Sequence, residues 1–272
     1  MGRLLKADFF SLLKSKITYV VLGICIGMPL LMVLLYVGIG AATNSMAGED
    51  LFSSVIKGRD LMFSTFSLSS NVGLVIPIFT GILVMGDLRN GTVRNKVIMG
   101  KKRSSIYWSQ LFVSTTFCVV MCLISFLVIT AGSLIFFKYG YEPSLAETWN
   151  FTKALIIGLL TFVYVATLTT FIAMSTKSTG LTIVFTLLVV VGTSLICNLS
   201  FLVPEDSFLL YIFYLVPTYG ASTISSNTLN LLSGGVEMLS NKVFLFCLNS
   251  LLGFSALNTL LGILIFNKAD LK

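Results

Sequence analysis

The sequence contains no histidine. That removes imidazole metal ligation, a Ser-His-Asp triad and an imidazole proton relay together. Charge is also scarce. Only 11% of the 272 residues are Asp, Glu, Lys or Arg, whereas a soluble domain carries about a quarter. No disulfide framework is present. Cys25, Cys118, Cys122, Cys197 and Cys247 all lie in apolar stretches, and none stands at CxxC spacing, which excludes a paired-loop scaffold and a zinc site. Cys118 and Cys122 share a helical face and read as small packing residues. A phosphate-binding loop is missing too. In Gly100-Lys101-Lys102 a lysine stands where Ser or Thr is required, and position 95 is Asn rather than Gly. If ATP drives this protein, another chain binds it.

What the chain has is apolar length. Hydrophobic residues make up 56% of it, Phe alone contributes 22 residues, and the mean hydropathy is +0.97. A chain with so little charge cannot cover itself with a polar surface, so lipid is its natural solvent. Charge-free windows run over 17–48, 61–86, 104–137, 154–176, 178–204, 207–236 and 243–267. A membrane helix needs about 20 mostly apolar residues, and backbone in lipid must bond to itself. Six windows meet this. The window 207–236 does not: its apolar part, Phe208–Val216, is short and is followed by Pro217, Thr218, Gly220, Ser222, Thr223, Ser225 and Ser226. Such a segment suits a re-entrant or surface element.

The expected fold is therefore all-α and membrane-embedded. It has an N-terminal amphipathic elbow (1–16), spans over 17–41, 62–86, 105–136, 154–175, 179–203 and 243–267, a loop over 87–104, and a broken or re-entrant segment over 207–236. Six spans put both termini on one side. With that side cytoplasmic, 13 of the 18 basic residues lie inside, as the positive-inside bias requires. The first apolar run is too long for a signal peptide, so it reads as an uncleaved span. On a helical wheel Leu5, Phe9, Leu12 and Leu13 oppose Arg3, Ala7, Ser11 and Lys14, the pattern of a helix lying in the interface. Gly23 and Gly27 form a GxxxG step in the first span, which permits close approach of another helix. Pro29 and Pro77 are expected to kink or interrupt their spans.

No span carries a charged residue in its interior, whereas ion-coupled carriers and pumps hold their driving ion on intramembrane acids or bases. The chain reads as a conduit without its own engine. Its most informative segment is the basic loop after the second span. Thr92 is expected to cap a short helix ending near Met99, and Gly100 to terminate it. Val93, Val97 and Ile98 would give that helix an apolar side. Asp87, Arg89, Arg94, Lys96, Lys101, Lys102 and Arg103 supply its charge, and Tyr107 and Trp108 would anchor the next span at the interface. The charges serve topology on the simplest view. A helix with an apolar and a charged side also suits a docking surface. The overall charge of +7 sits beside apolar runs and points to anionic lipid headgroups and protein loops, not nucleic acid.

The run Gly91-Thr92-Val93-Arg94-Asn95-Lys96, followed by Gly100, the basic triplet Lys101–Arg103 and Ile106-Tyr107, resembles the first cytoplasmic loop of ABC-2 type permeases, especially Gram-positive ones. Asp87 stands where many members carry Glu. The resemblance implies a bacterial plasma-membrane subunit of an ABC exporter, in which two permeases, identical or different, sit on separate cytoplasmic ATPase subunits. ATP and Mg would be held by those subunits, with no cofactor in this chain. The residues Asp87, Arg89, Gly91, Thr92, Arg94, Asn95, Lys96, Lys101, Lys102 and Arg103 would couple to the ATPase. An amphipathic peptide, an antibiotic or lipid-like material is the implied cargo. The competing readings are a membrane immunity or sensor protein that binds a membrane-active peptide without moving it, and a channel lined by uncharged polar groups.

Overall fold

The computed structural model describes residues 2–47, 57–68, 72–137, 145–203, 207–226 and 240–268. The described residues form eleven α-helices and one 3-10 turn. In chain order they are α1 (Gly2–Lys14), α2 (Lys16–Ala47), α3 (Gly58–Ser64), α4 (Val72–Arg89), α5 (Thr92–Ile98), α6 (Arg103–Phe136), α7 (Leu145–Thr176) and α8 (Thr179–Asn198). The 3-10 turn Leu199–Leu202 follows, then α9 (Leu209–Tyr214), α10 (Tyr219–Ser226) and α11 (Asn241–Lys268).

Six of these, α2, α4, α6, α7, α8 and α11, are long and apolar enough to cross a membrane. The protein is an all-α multi-pass membrane protein. The long helices alternate in direction, so α1, α5 and the C-terminal end of α11 lie at one end of the bundle, with α3, α9 and α10 at the other. Large apolar side chains stay exposed along the outside, among them Leu30, Leu34, Val184, Leu188, Leu260 and Leu264. In water such a surface would aggregate, and in a bilayer it is the correct one. Hydroxyls inside the bundle bond back to their own helix, as Thr80 does to the Ile76 carbonyl at 2.7 Å and Thr169 to that of Val165 at 2.7 Å. Others cross between helices: Ser125 of α6 donates to the Cys25 carbonyl of α2 at 3.0 Å, and Ser114 pairs with Thr170 at 2.9 Å. These contacts satisfy polar groups that lipid cannot.

Several expectations change. The apolar run from Leu61 is not one helix. Residues 58–64 form the separate helix α3, and α4 begins only at Val72. Ser67, Ser69, Ser70 and Asn71 interrupt the run in sequence, and Phe63 and Phe66 of the first piece are buried in the core against Phe151 and Phe126. Helices α2 and α4 continue through Pro29 and Pro77 without interruption. Residues 207–226 form the two short helices α9 and α10, neither long enough to span. Pro217 separates them, and α10 buries Ala221 and Ile224. Residues 227–236 of that segment lie outside the described residues. All five cysteines are buried and free. Gly23 and Gly27 have nothing within 4 Å of an added Cβ, so that face of α2 is open within the protomer.

Candidate functional site

Helix α5 and its surroundings gather most of the loop residues singled out in the sequence. Two glycines frame the helix. Gly91 precedes it at φ 70° and Gly100 follows it at φ 77°, both in the left-handed region that costs a side-chain-bearing residue about 1–2 kcal/mol. Neither has a neighbour within 4 Å of an added Cβ, so the requirement is conformational. At the C-terminus the Gly100 amide donates to the Val97 carbonyl at 2.9 Å and the Lys101 amide to that of Lys96 at 3.2 Å. This is the Schellman arrangement, and Gly100 ends the helix as its position in the sequence indicated. Thr92 does not cap it. Its hydroxyl donates to the Asp87 carbonyl at 2.6 Å, because the left-handed Gly91 turns α5 back against the end of α4 and brings that carbonyl within reach.

The inner side of α5 is Val93 and Val97, packed into a cluster with Val84, Met85, Ile106 and Phe266. Ile98 does not belong to this side: it is 72% exposed and its neighbour Met99 is 70% exposed. A seven-residue helix turns too far between Val93 and Ile98 for both to face inward. Arg94, Asn95, Lys101 and Lys102 are exposed around this apolar tip, as is Arg89 at the end of α4. Arg103 turns away, donating to the Asn267 carbonyl of α11 at 3.1 Å, where Ser104 and the Asn267 side chain also meet at 3.3 Å. Tyr107 is no interface anchor. It is fully buried against Phe266 and over Gly262, while Trp108 alone remains exposed, its ring tilted against that of Phe112.

Lys96 faces inward. Its ammonium donates to Asp8 of α1 at 2.6 Å, and Ser109 of α6 donates to the other carboxylate oxygen at 2.6 Å. The Asp8 side chain is 6% exposed and that of Lys96 13%. Both oxygens of a buried carboxylate are thus met by donors from two other helices, the condition under which a buried ion pair holds. This places Asp8 and Leu12, one turn apart on α1, on its inward side, and leaves Phe10 and Leu13 exposed. The wheel pattern put Leu12 and Leu13 on one apolar face; in the bundle Leu12 is buried and Leu13 exposed, and the Asp8 carboxylate, by its partners, sets that rotation. Arg3 lies outside the described side chains. Asp87 lies close to both Lys96 and Asp8. The sequence reading passed over Asp8. One signal was available: it is the single acid in a basic N-terminal helix, and a lone acid there does nothing for topology.

A second buried pair ties the opposite end. Arg59 of α3 meets Glu147 of α7 at 2.7 Å. Beside it, burial pushes the Asp60 carboxyl above the ordinary 3.8; Arg59 and Lys57 oppose that shift and Glu147 adds to it.

The family model described as a protein of unknown function, DUF2705, matches residues 50–272. The chain belongs to the DUF2705 family. No curated protein matches it. In this DUF2705 protein the matched region includes α5, Lys96 and Ser109, and Asp8 lies before it. Among the described residues no group of three or more Cys, Asp or Glu is placed to hold a metal ion.

Proposed function

We propose that this protein is the membrane subunit of an ATP-driven exporter, coupled through α5 to a separate ATPase on the cytoplasmic side. One observation carries the reading. The exposed tip of α5 joins apolar Ile98 and Met99 to the charges of Arg94, Lys101 and Lys102, on a helix held at both ends and along its inner side. Topology alone needs charge, not an apolar knob raised above it. A rigid amphipathic projection is what a protein groove recognises. The glycine turns, the Val93–Val97 packing and the Asp8–Lys96 pair make a force applied at the tip reach α1, α4 and α6 together. The resemblance of this loop to that of ABC-2 permeases supports the same reading. The open Gly23–Gly27 face of α2 supports association with a second permease. Cytoplasmic termini follow from the distribution of basic residues.

The mechanism is mechanical. Arg94, Lys101 and Lys102 steer and orient the partner, and Ile98 and Met99 bury in it. Lys96 contributes from behind, as a positioning residue. The test is purification of the tagged chain from its native host in mild detergent. A stoichiometric partner with a phosphate-binding loop is expected from the unaltered chain. It should be lost from an Arg94→Glu/Ile98→Glu variant that still inserts in the membrane. Recovery of the chain alone would favour the channel or peptide-binding immunity reading instead.

A further inference from the structure

We propose that a cavity between α1, the last turn of α4 and α6 binds the head of an amine-bearing phospholipid, with the Asp87 carboxylate as counter-ion to its primary ammonium. The cavity measures about 130 Å³. A bare monovalent ion would leave most of that volume unfilled, since one water takes up about 30 Å³. Its lining is of two kinds. Asp8, Ser11, Asp87 and Asn90 are polar, and Leu12, Leu83 and Val113 are apolar. A group that is charged at one end and hydrocarbon at the other meets both.

Charge favours a cation. Asp8 and Asp87 stand close to each other with Lys96 between them in charge but not in number. Two carboxylates against one ammonium leave one negative charge. Lys96 is bonded to Asp8, and no cation among the described residues forms an ion pair with Asp87. Asp87 is half-buried, and a carboxylate partly withdrawn from water gains from a counter-ion. Hydrogen bonding points the same way. Gln110 is 1% exposed; its side chain bonds to the Asp87 carboxylate and favours the charged form, while its oxygen meets no donor. It stands one turn before Val113, which lines the cavity, and neighbours Asp87. An ammonium with three N–H groups supplies further donors to that carboxylate from the cavity.

Position favours a lipid over a soluble amine. The cavity lies at the last turn of the span Val72–Arg89, the level of headgroups. Helix α1 beside it exposes Phe10 and Leu13 to the surroundings, with the Lys14 ammonium 4.6 Å from the Phe10 ring. Phe10 and Leu13 suit acyl chains and Lys14 a phosphate. The inference is independent of the transport reading, since it rests on the protomer alone.

The test is native mass spectrometry of the full-length protein released from nanodiscs. The discs hold equal phosphatidylethanolamine and phosphatidylcholine with the same acyl chains. Both lipids are zwitterionic, so the basic surface does not choose between them, and only the first has N–H donors. The unaltered protein should retain the ethanolamine lipid preferentially, on the order of tenfold, as a charge-assisted hydrogen bond supplies. Asp87→Asn, which keeps the shape, should abolish the preference. Ser11→Trp should do the same by filling the cavity from an exposed position with both carboxylates intact. Equal retention of the two lipids by the unaltered protein, or a preference that survives either substitution, overturns the assignment.

Discussion

The Asp8–Lys96 pair makes an asymmetric prediction. Lys96→Met leaves Asp8 buried beside Asp87, with Ser109 as its one remaining donor. The aspartate stem is too short to carry the charge to water. Removing one partner of a buried pair costs about 3–5 kcal/mol. Lys96 is at the edge of the bundle, so about 3 kcal/mol is the fitting end of that range. Asp8→Asn differs. The amide keeps a hydrogen bond with Ser109, and Lys96, on its long flexible stem, swings out to solvent. About 1–2 kcal/mol is expected. The double variant should be less destabilised than the sum of the two, by about 1–3 kcal/mol. The five buried cysteines supply the assay: a thiol-reactive fluorophore labels the chain only as it unfolds. At about 2–4 °C per kcal/mol for a chain of this size, Lys96→Met should lower the midpoint by about 6–12 °C and Asp8→Asn by roughly a third to two-thirds as much. Additive single effects, or an Asp8→Asn loss as large as that of Lys96→Met, would refute the reasoning.

Other outcomes follow from particular contacts. Gly158→Ala drives a methyl group into the Phe66 ring in the core, so a loss of about 3 kcal/mol or more is expected in the same assay. Gly192→Ala meets nothing within 4 Å and should instead stabilise by about 0.5–1 kcal/mol, the helix preference of alanine. Tyr107→Phe removes a buried hydroxyl that has no hydrogen-bond partner, so the melting midpoint should hold or rise by a few degrees, on the order of 1 kcal/mol. Asp60 gives a pH dependence. Its carboxyl is raised by burial, so the folded state holds the proton more tightly than the unfolded chain. Its contribution therefore favours folding at low pH and is lost as pH rises through the raised value. The stability difference between the unaltered chain and Asp60→Asn should widen with rising pH across that interval, the asparagine variant being the more stable at neutral pH. A pH-independent difference would remove Asp60 from that role.

How much of this was readable in advance depends on the range of the interaction. The six spans follow from solvent: a long run without charge has one stable environment, and its length sets the helix. The end of α5 followed likewise, because Gly100 is required by one backbone torsion close in sequence. The start of α4 was misplaced because a charge-free window runs through Ser67, Ser69, Ser70 and Asn71 and does not register that the residues before them pack as a separate helix. The apolar side of α5 was misread at Ile98, since a short helix on a buried floor has room for Val93 and Val97 only.

The sequence by itself determined the solvent, the number of spans and the basic character of one end, because each of these depends on composition within one stretch of chain. Which residues of the loop face outward was decided by tertiary structure. Asp8 and Lys96 are separated by 88 positions, and Ser109 joins them from a third helix. A carboxylate that must be neutralised once buried selects its partners by proximity in the folded bundle, and that proximity turns Lys96 inward, leaves Ile98 and Met99 at the tip, and encloses the cavity beside Asp87.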